Sequence, residues 1–109
     1  MVQIDIKPLS VNAAWQGKRF KTPAYKKYEK NVLKLLPKLT VPSGRLTLKI
    51  EFGFSSKLMD IDNPVKLLGD ILQKKYGFND RDIYRLEVDK RITPKGQEYI
   101  KFEITKFEE

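Results

Sequence analysis

The run from Arg45 to Phe54 constrains the fold of this chain more than any other segment. Apolar side chains occupy every second position, at Leu46, Leu48, Ile50, Phe52 and Phe54. The positions between them include Thr47, Lys49 and Glu51. This period of two predicts a β-strand with one face in the core and the other towards solvent. A chain that contains such a strand must supply further strands and a second layer to cover the apolar face.

A first helix is predicted before this strand. Thr22 and Pro23 form a typical helix start, with a hydroxyl at the N-cap and proline at the first helical position. An apolar stripe then follows at three- and four-residue spacing, at Tyr25, Tyr28, Val32, Leu35 and Leu39. Pro37 is expected to end or kink this helix.

A second helix is predicted after the strand. Asn63 and Pro64 repeat the capping pattern, and Gly77 is a typical residue to follow the last turn near Tyr76. The predicted core face consists of Val65, Leu68, Ile71, Leu72 and Tyr76. Lys66, Asp70 and Gln73 fall on the opposite side.

The rest of the chain predicts a loop and three more strands. Val2, Ile4 and Ile6 alternate with polar residues, and two further strands are expected at about 83–92 and 98–107. Proline and glycine within 93–97 predict a hairpin between those two strands, and 8–22 reads as a long polar loop. We therefore expect one α+β domain over residues 1–109, with two helices packed on one face of a mixed β-sheet.

The chain carries a formal net charge of +8, from 22 basic and 14 acidic residues. Positive potential of this kind suits a polyanionic partner such as nucleic acid, although it could serve solubility alone. No apolar run approaches the about 20 residues of a membrane-spanning helix, and no signal peptide is visible. We expect a cytoplasmic protein without a membrane partner.

The chain has no cysteine and no histidine. This excludes disulfides, thiolate zinc sites, Ser-His-Asp triads and histidine-based nucleases. Any hydrolytic chemistry must therefore rest on carboxylates, lysine or a carboxylate-bound metal.

Three aspartates form the candidate metal site. Asp60 and Asp62 lie two residues apart, so in an extended segment both would point to the same side. Two converging carboxylates need a positive partner, and Mg²⁺ prefers oxygen ligands. Asp80 is a third acid that could join them after the second helix. The alternative is that Asp62 or Asn63 serves only as a helix cap.

Lys66 is the candidate cation of the same site. It lies one turn into the second helix, where it could bind a scissile phosphate or stabilise charge that develops there. The alternative is an exposed Lys66–Asp70 pair at i,i+4 spacing, which would contribute only a few tenths of a kcal/mol.

The loop before the first helix offers a candidate DNA-binding surface. Basic and amide side chains there are interleaved with Trp15 and Phe20, which suits backbone phosphates and exposed bases. The aromatic residues could equally be packing anchors. The candidate DNA-binding residues are Asn12, Lys18, Arg19, Lys21 and Lys57. Later charges, among them Arg85, Lys90 and Arg91, could widen the basic face or be ordinary solvated residues.

The spacing of these residues resembles the RusA family of Holliday junction resolvases. The most specific part is Asp60-x-Asp62-Asn63-x-x-Lys66-x-x-x-Asp70-x-Leu72, followed by Gly77-Phe78 and Asn79-Asp80-x-x-Ile83. The stretches Pro8-Leu-Ser-Val-Asn12 and Gly17-Lys-Arg-Phe-Lys-Thr22 look like the first loop of that family.

The resemblance implies a RusA-like fold and a cytoplasmic, Mg²⁺-dependent endodeoxyribonuclease, with Mn²⁺ as a possible substitute. It implies a homodimer, often carried by prophages, that acts on branched double-stranded DNA in recombination and repair. Four-way junctions would be cut by paired symmetric nicks. The metal-binding acids would be Asp60, Asp62 and Asp80, with Lys66 as the catalytic lysine.

Two departures from the family pattern affect the site. Some relatives have two adjacent acids where this chain has Asn79-Asp80, so the third ligand could be Asp80 alone or involve Asp82. Some have a basic run before the first aspartate, where this chain has Lys57 as the single charge in 55–59. Two other functions stay open: a non-catalytic nucleic-acid-binding module, and a metal-dependent nuclease that acts on flaps or forks.

Overall fold

The computed structural model describes residues 1–10, 14–16 and 20–109. Its elements are β1 (Val2–Ile4), β2 (Trp15–Gln16), β3 (Phe20–Lys21), α1 (Pro23–Leu35), β4 (Leu46–Phe54), α2 (Val65–Tyr76), a 3₁₀ helix (Asp80–Asp82), β5 (Ile83–Ile92) and β6 (Tyr99–Lys106). The predicted order of the main strands and helices is confirmed. The segment 8–22, predicted to be a loop throughout, also contains the short antiparallel pair β2–β3.

The strand predicted most clearly, β4, lies inside a four-stranded sheet with the order β1-β6-β4-β5. It pairs antiparallel with β6 and parallel with β5, while β1 pairs antiparallel with the other side of β6. The prediction of a mixed sheet is therefore confirmed.

The predicted hairpin between β5 and β6 is wrong, because β4 lies between these two strands. The connecting turn carries the chain past the end of β4, where the Thr93 N–H donates to the Phe54 carbonyl at 2.7 Å. The physical reason is burial: β4 is buried at most positions and needs a partner on each side, whereas β5 is mostly exposed and lies at the edge. Proline and glycine predict a turn but do not predict which strands it joins.

Both helices contribute to one hydrophobic core on one face of the sheet, as predicted. The two central strands contribute Leu48, Ile50, Phe52 and Phe54 of β4 and Ile100 and Phe102 of β6 to this core. The opposite face is polar: Glu51 accepts a hydrogen bond from the Tyr99 hydroxyl at 2.7 Å and lies 3.7 Å from both Arg91 and Lys101. Within the described ranges, no helix is both long and apolar enough to span a bilayer.

The start of α1 is as predicted. The Thr22 hydroxyl accepts a hydrogen bond from the Tyr25 N–H at 3.2 Å, and the helix ends two residues before Pro37. The predicted core stripe is right for Tyr25, Tyr28 and Val32 but wrong at its end. Leu35 and Leu39 are 47% and 41% exposed, and Leu36 is buried instead. Leu36 lies four residues after Val32 and its N–H still donates to the Val32 carbonyl, so it continues the buried stripe in place of Leu35. The backbone becomes extended at Leu36, so helical spacing no longer applies to Leu39.

The end of α2 is as predicted, whereas its start is not. Gly77 adopts the left-handed conformation (φ 73°), and its N–H donates to the Gln73 carbonyl at 2.8 Å. At the start, Pro64 is the N-cap and no side chain caps the helix. The amide of Asn63 instead lies 3.5 Å from the Asp60 carboxylate. The predicted capping role of Asn63 is therefore wrong.

Glu29 links three elements through two ion pairs. Its carboxylate lies 3.1 Å from the Lys21 ammonium of β3 and 3.2 Å from the Lys74 ammonium of α2. Partial burial favours a higher pKa for Glu29, but the two lysines outweigh it and hold this pKa below its ordinary value. The folded state therefore binds the proton of Glu29 less readily than the unfolded state does.

We expect Glu29→Gln to lower the free energy of unfolding at pH 7 by up to about 1 kcal/mol. Because the pKa of Glu29 is lower in the folded state, its contribution is present above the ordinary value of 4.5 and is lost as the pH falls through the folded value. Urea unfolding of both proteins between pH 7 and pH 3 should show the difference shrinking towards acid. A difference that persists unchanged at pH 3 would contradict the ionic explanation.

Candidate active site

An open cavity of about 590 Å³ lies between the start of α2, the 3₁₀ helix and the edge strand β5. Its polar lining comes from three segments of the chain: Asp62 from the turn before α2; Lys66, Asp70 and Gln73 from α2; and Asp80 from the 3₁₀ helix. Its apolar wall consists of Leu48, Ile61, Val65, Ile83, Leu86 and Val88. The fold thus brings Asp62 and Asp80, which are 18 positions apart in the sequence, to one surface.

Asp60 and Asp62 are placed differently by the fold. The segment 61–64 forms turns rather than an extended strand, so the premise that both side chains point to one side is wrong. Asp62 lines the cavity, and Asp60 is not part of its lining. Asp60 instead closes the turn: its carbonyl accepts from the Asn63 N–H at 3.4 Å.

The alternative in which Asp62 only caps α2 is contradicted. No side chain caps this helix. Asp62 does take part in the helix start, but through its backbone, because its carbonyl accepts from the Val65 N–H at 3.1 Å. Its carboxylate is therefore not used by the helix terminus and remains exposed at the cavity.

Lys66 and Asp70 form the ion pair that their spacing predicts. The ammonium lies 3.3 Å from the carboxylate, and the side chains are 69% and 37% exposed. A pair this exposed contributes little to stability, so Lys66 keeps an accessible charge at the mouth of the cavity. Asp70 also affects Tyr25 of α1. Burial is the main cause that raises the pKa of the Tyr25 hydroxyl to about 12, and the negative charge of Asp70 is the second.

Gln73 is a residue of the site whose role was not predicted from the sequence. Its side-chain carbonyl accepts from the Asp80 N–H at 2.9 Å, and its amide group donates to the Gly69 carbonyl at 3.1 Å. These two bonds tie the backbone of Asp80 to α2. The helical spacing of Lys66, Asp70 and Gln73 was the available signal, since it placed all three on one face.

The two acids of the 3₁₀ helix, Asp80 and Asp82, differ in their position relative to the cavity. Asp80 lines it and is exposed, whereas Asp82, at the other end of this helix, is not part of the lining. The turn is fixed by the Asn79 side chain, which accepts from the Arg81 N–H at 3.0 Å.

The carboxylates do not form a ready-made metal site. Asp60, Asp62, Asp70, Asp80 and Asp82 are all among the residues that the structure describes, and within that part of the chain no three acidic side chains lie close enough together to hold a metal ion. Carboxylates such as those of the cavity suit a hard divalent cation. In this conformation, however, they do not lie close enough together to hold one as a group of three.

The candidate DNA-binding residues are only partly described. Asn12, Lys18 and Arg19 lie outside the described residues. Lys21 pairs with Glu29 at 3.1 Å and lies 5.0 Å from the centre of the Tyr25 ring. Lys57 is exposed in the loop before Asp60. A role in DNA binding stays a prediction for all five residues of the set.

Comparison with known proteins gives one clear result. The family model for the endodeoxyribonuclease RusA matches residues 7–103, which includes every residue of the cavity. No curated protein matched the chain. Because the match covers most of the sequence, this chain belongs to the RusA family, whose members are endodeoxyribonucleases that resolve Holliday junctions.

Proposed function

We propose that this chain is a homodimeric, Mg²⁺-dependent endonuclease that resolves four-way DNA junctions by paired symmetric nicks at the cavity beside α2. The observation that carries the proposal is the convergence of Asp62, Lys66 and Asp80, from three separate segments, on one open cavity. Two acids and a lysine gathered at the surface of a chain with a net charge of +8 are not explained by the fold, because none of these three residues caps a helix or lies buried.

Lys66 is the residue proposed to act on the scissile phosphate. Hydrolysis adds the oxygen of water to phosphorus, breaks the bond from phosphorus to one sugar oxygen, and places additional negative charge on the phosphoryl oxygens. An accessible ammonium at the cavity mouth can bind that charge. Its link to Asp70 is weak enough to be exchanged for a phosphate.

The acids are proposed to serve the attacking water and a divalent cation. A carboxylate at hydrogen-bond distance from the water can accept its proton as the oxygen attacks phosphorus. When bound, Mg²⁺ or Mn²⁺ would polarise the phosphoryl group and lower the pKa of water. Asp62 and Asp80 are the ligands offered by the cavity, with Asp60 as the third of the proposed set; gathering them requires movement of the turn 60–64 or of the 3₁₀ helix.

A homodimer is proposed because two equivalent sites match the approximate two-fold symmetry of a four-way junction. Paired nicks then follow from one bound complex. Sedimentation velocity of the free protein and of its junction complex tests this part independently of cutting.

The function is tested by cleavage of four substrates: a four-way junction, a replication fork, a flap and a linear duplex, each with Mg²⁺, with Mn²⁺ and with EDTA. The expected result is cutting of the junction that requires the cation and yields two symmetric nicks. Faster cutting of forks or flaps would instead support a nuclease for those substrates. Tight junction binding without cutting under either cation would support a non-catalytic binding module.

Gln73→Leu is expected to lower the rate of junction cutting by about 10- to 100-fold, because the residue that orients Asp80 loses its acceptor for the Asp80 N–H. Junction affinity should not change, since no charge is lost. The measurement is single-turnover cutting beside binding, with Gln97→Leu as the control at an exposed position in the turn 93–98. Equal rates for the two variants would show that Asp80 does not need this contact.

A further inference from the structure

Lys90 occupies a position where a charged residue is unexpected. It lies in the edge strand β5 directly opposite Phe52 of β4, and Phe52 is fully buried in the core. Side chains at paired positions project from the same face of a sheet. Lys90 therefore leaves the sheet on the helix-covered face, between Val88 and Ile92, and is half-buried there.

The ammonium of Lys90 donates hydrogen bonds to backbone carbonyls of another segment. It donates to the Met59 carbonyl at 2.9 Å and to the Lys57 carbonyl at 3.3 Å. Both carbonyls belong to the loop 55–59. Within this loop, the Leu58 N–H donates to the Ser56 hydroxyl at 3.2 Å and the Met59 N–H to the Ser56 carbonyl at 3.5 Å. At its start, the Ser55 hydroxyl donates to the Glu98 carboxylate at 2.7 Å, so Lys90 holds the end of the loop that leads into Asp60. Hydrogen bonds from a charged donor are stronger than those between neutral groups.

We propose that Lys90 is a positioning residue that holds the loop 55–59 in place and thereby fixes Asp60 and Asp62 relative to the cavity. This inference rests on the proposed function. Met59 immediately precedes Asp60, so the Lys90 contact anchors one end of the acidic turn. The other end is anchored to α2 by the bond from the Val65 N–H to the Asp62 carbonyl. Loss of the first anchor leaves the end next to Asp60 held only by the packing of the Met59 side chain on the core, without a hydrogen bond that fixes its backbone.

A simpler role for Lys90 is the protection of an edge strand. A charged side chain that points inward from an edge disfavours pairing with another chain. The two roles predict different effects of a substitution. If Lys90 only protects the edge strand, its loss causes self-association. If Lys90 is a positioning residue, its loss disorders the backbone of 55–62 and lowers the rate of cutting.

The test compares Lys90→Met, which keeps the length of the side chain but loses its donors, with Lys90→Arg, which keeps charge and donors. Lys95→Met is the matched control, because it removes the same charge from an exposed turn. Hydrogen exchange of the amides in 57–62 is measured on each protein, followed by kcat and junction Kd.

In Lys90→Met we expect exchange in 57–62 to be faster by about tenfold or more, the factor for loss of one charge-assisted hydrogen bond. We also expect kcat to fall by about 10- to 100-fold, with Kd equal to that of Lys95→Met. Lys90→Arg should restore both exchange and kcat towards the wild-type values.

Unchanged exchange in 57–62 overturns the proposal, and so does self-association of Lys90→Met with normal exchange and kcat. If Lys90→Met does not melt cooperatively, Lys90→Gln, whose side chain is too short to reach the carbonyls, replaces it in the same measurements. The exchange experiment needs no catalysis. A wild-type protein that cuts no junction therefore refutes the proposed function, while the exchange result still decides whether Lys90 anchors the loop.

Discussion

Asp62→Asn is expected to abolish junction cutting while junction binding is retained. Asp62 is the acid of the 60–62 pair that lines the cavity, and its carboxylate has no structural task at the helix terminus. A divalent cation held by this carboxylate would stabilise the negative charge of the phosphoryl transition state by several kcal/mol. Because 1.36 kcal/mol corresponds to a factor of ten, we expect kcat to fall by about a thousandfold or more.

The fold and the DNA affinity should survive this change. The side chain is exposed, so the free energy of unfolding should change by less than about 0.5 kcal/mol. Removal of a negative charge beside the DNA path should leave junction affinity equal or tighter.

Asp89→Asn is the matched control for Asp62→Asn. It makes the same chemical change at an exposed position of β5, opposite Glu51 and so on the polar face of the sheet away from the cavity. The control should cut at the wild-type rate. If both variants cut normally, Asp62 is not a residue of the active site, and Asp60, which lies outside the cavity lining, becomes the stronger candidate.

The periodic parts of the sequence predicted the fold well. The alternation in β4, the hydroxyl and proline at the start of α1 and the glycine after α2 each act through local backbone and side-chain geometry, and each is found in the structure. The pairing of β5 depends instead on which strand is buried most deeply, which is a property of the whole sheet. For that reason the turn at 93–97 was recognised but its connection was not.

The same distinction applies to the candidate site. Lys66 and Asp70 were predicted as neighbours from helical spacing, and they are neighbours. Asp60 and Asp62 were assumed to share a face because the segment was taken as extended, and the turn at 61–64 removes that basis. Helical spacing placed Gln73 on the face of Lys66 and Asp70, but it did not predict the contact of Gln73 with the Asp80 N–H. The contacts of Lys90 with the carbonyls of Lys57 and Met59 leave no periodic signal in the sequence.

Lys66→Met is expected to lower kcat by about 10²- to 10³-fold, the cost of losing one donor that stabilises charge in a transition state. The ammonium is an accessible cation at the mouth of the cavity, and among the described residues its ion-pair partner is the partly exposed Asp70. If it also contacts a DNA phosphate in the ground state, the slope of log affinity against log salt should fall by about 0.9. Single-turnover cutting and salt-dependent binding measure the two effects separately.

The cutting rate, and not stability, separates this role from the simpler one, in which Lys66 only pairs with Asp70. An exposed i,i+4 pair contributes about 0.3–0.5 kcal/mol, so the melting temperature should barely change whichever role holds. Lys75→Met removes the same charge from an exposed position of the same helix, and it should cut junctions at nearly the wild-type rate. If Lys66→Met and Lys75→Met cut junctions at the same rate, Lys66 is left with the ion pair alone, and another basic residue would have to supply the cation of the active site.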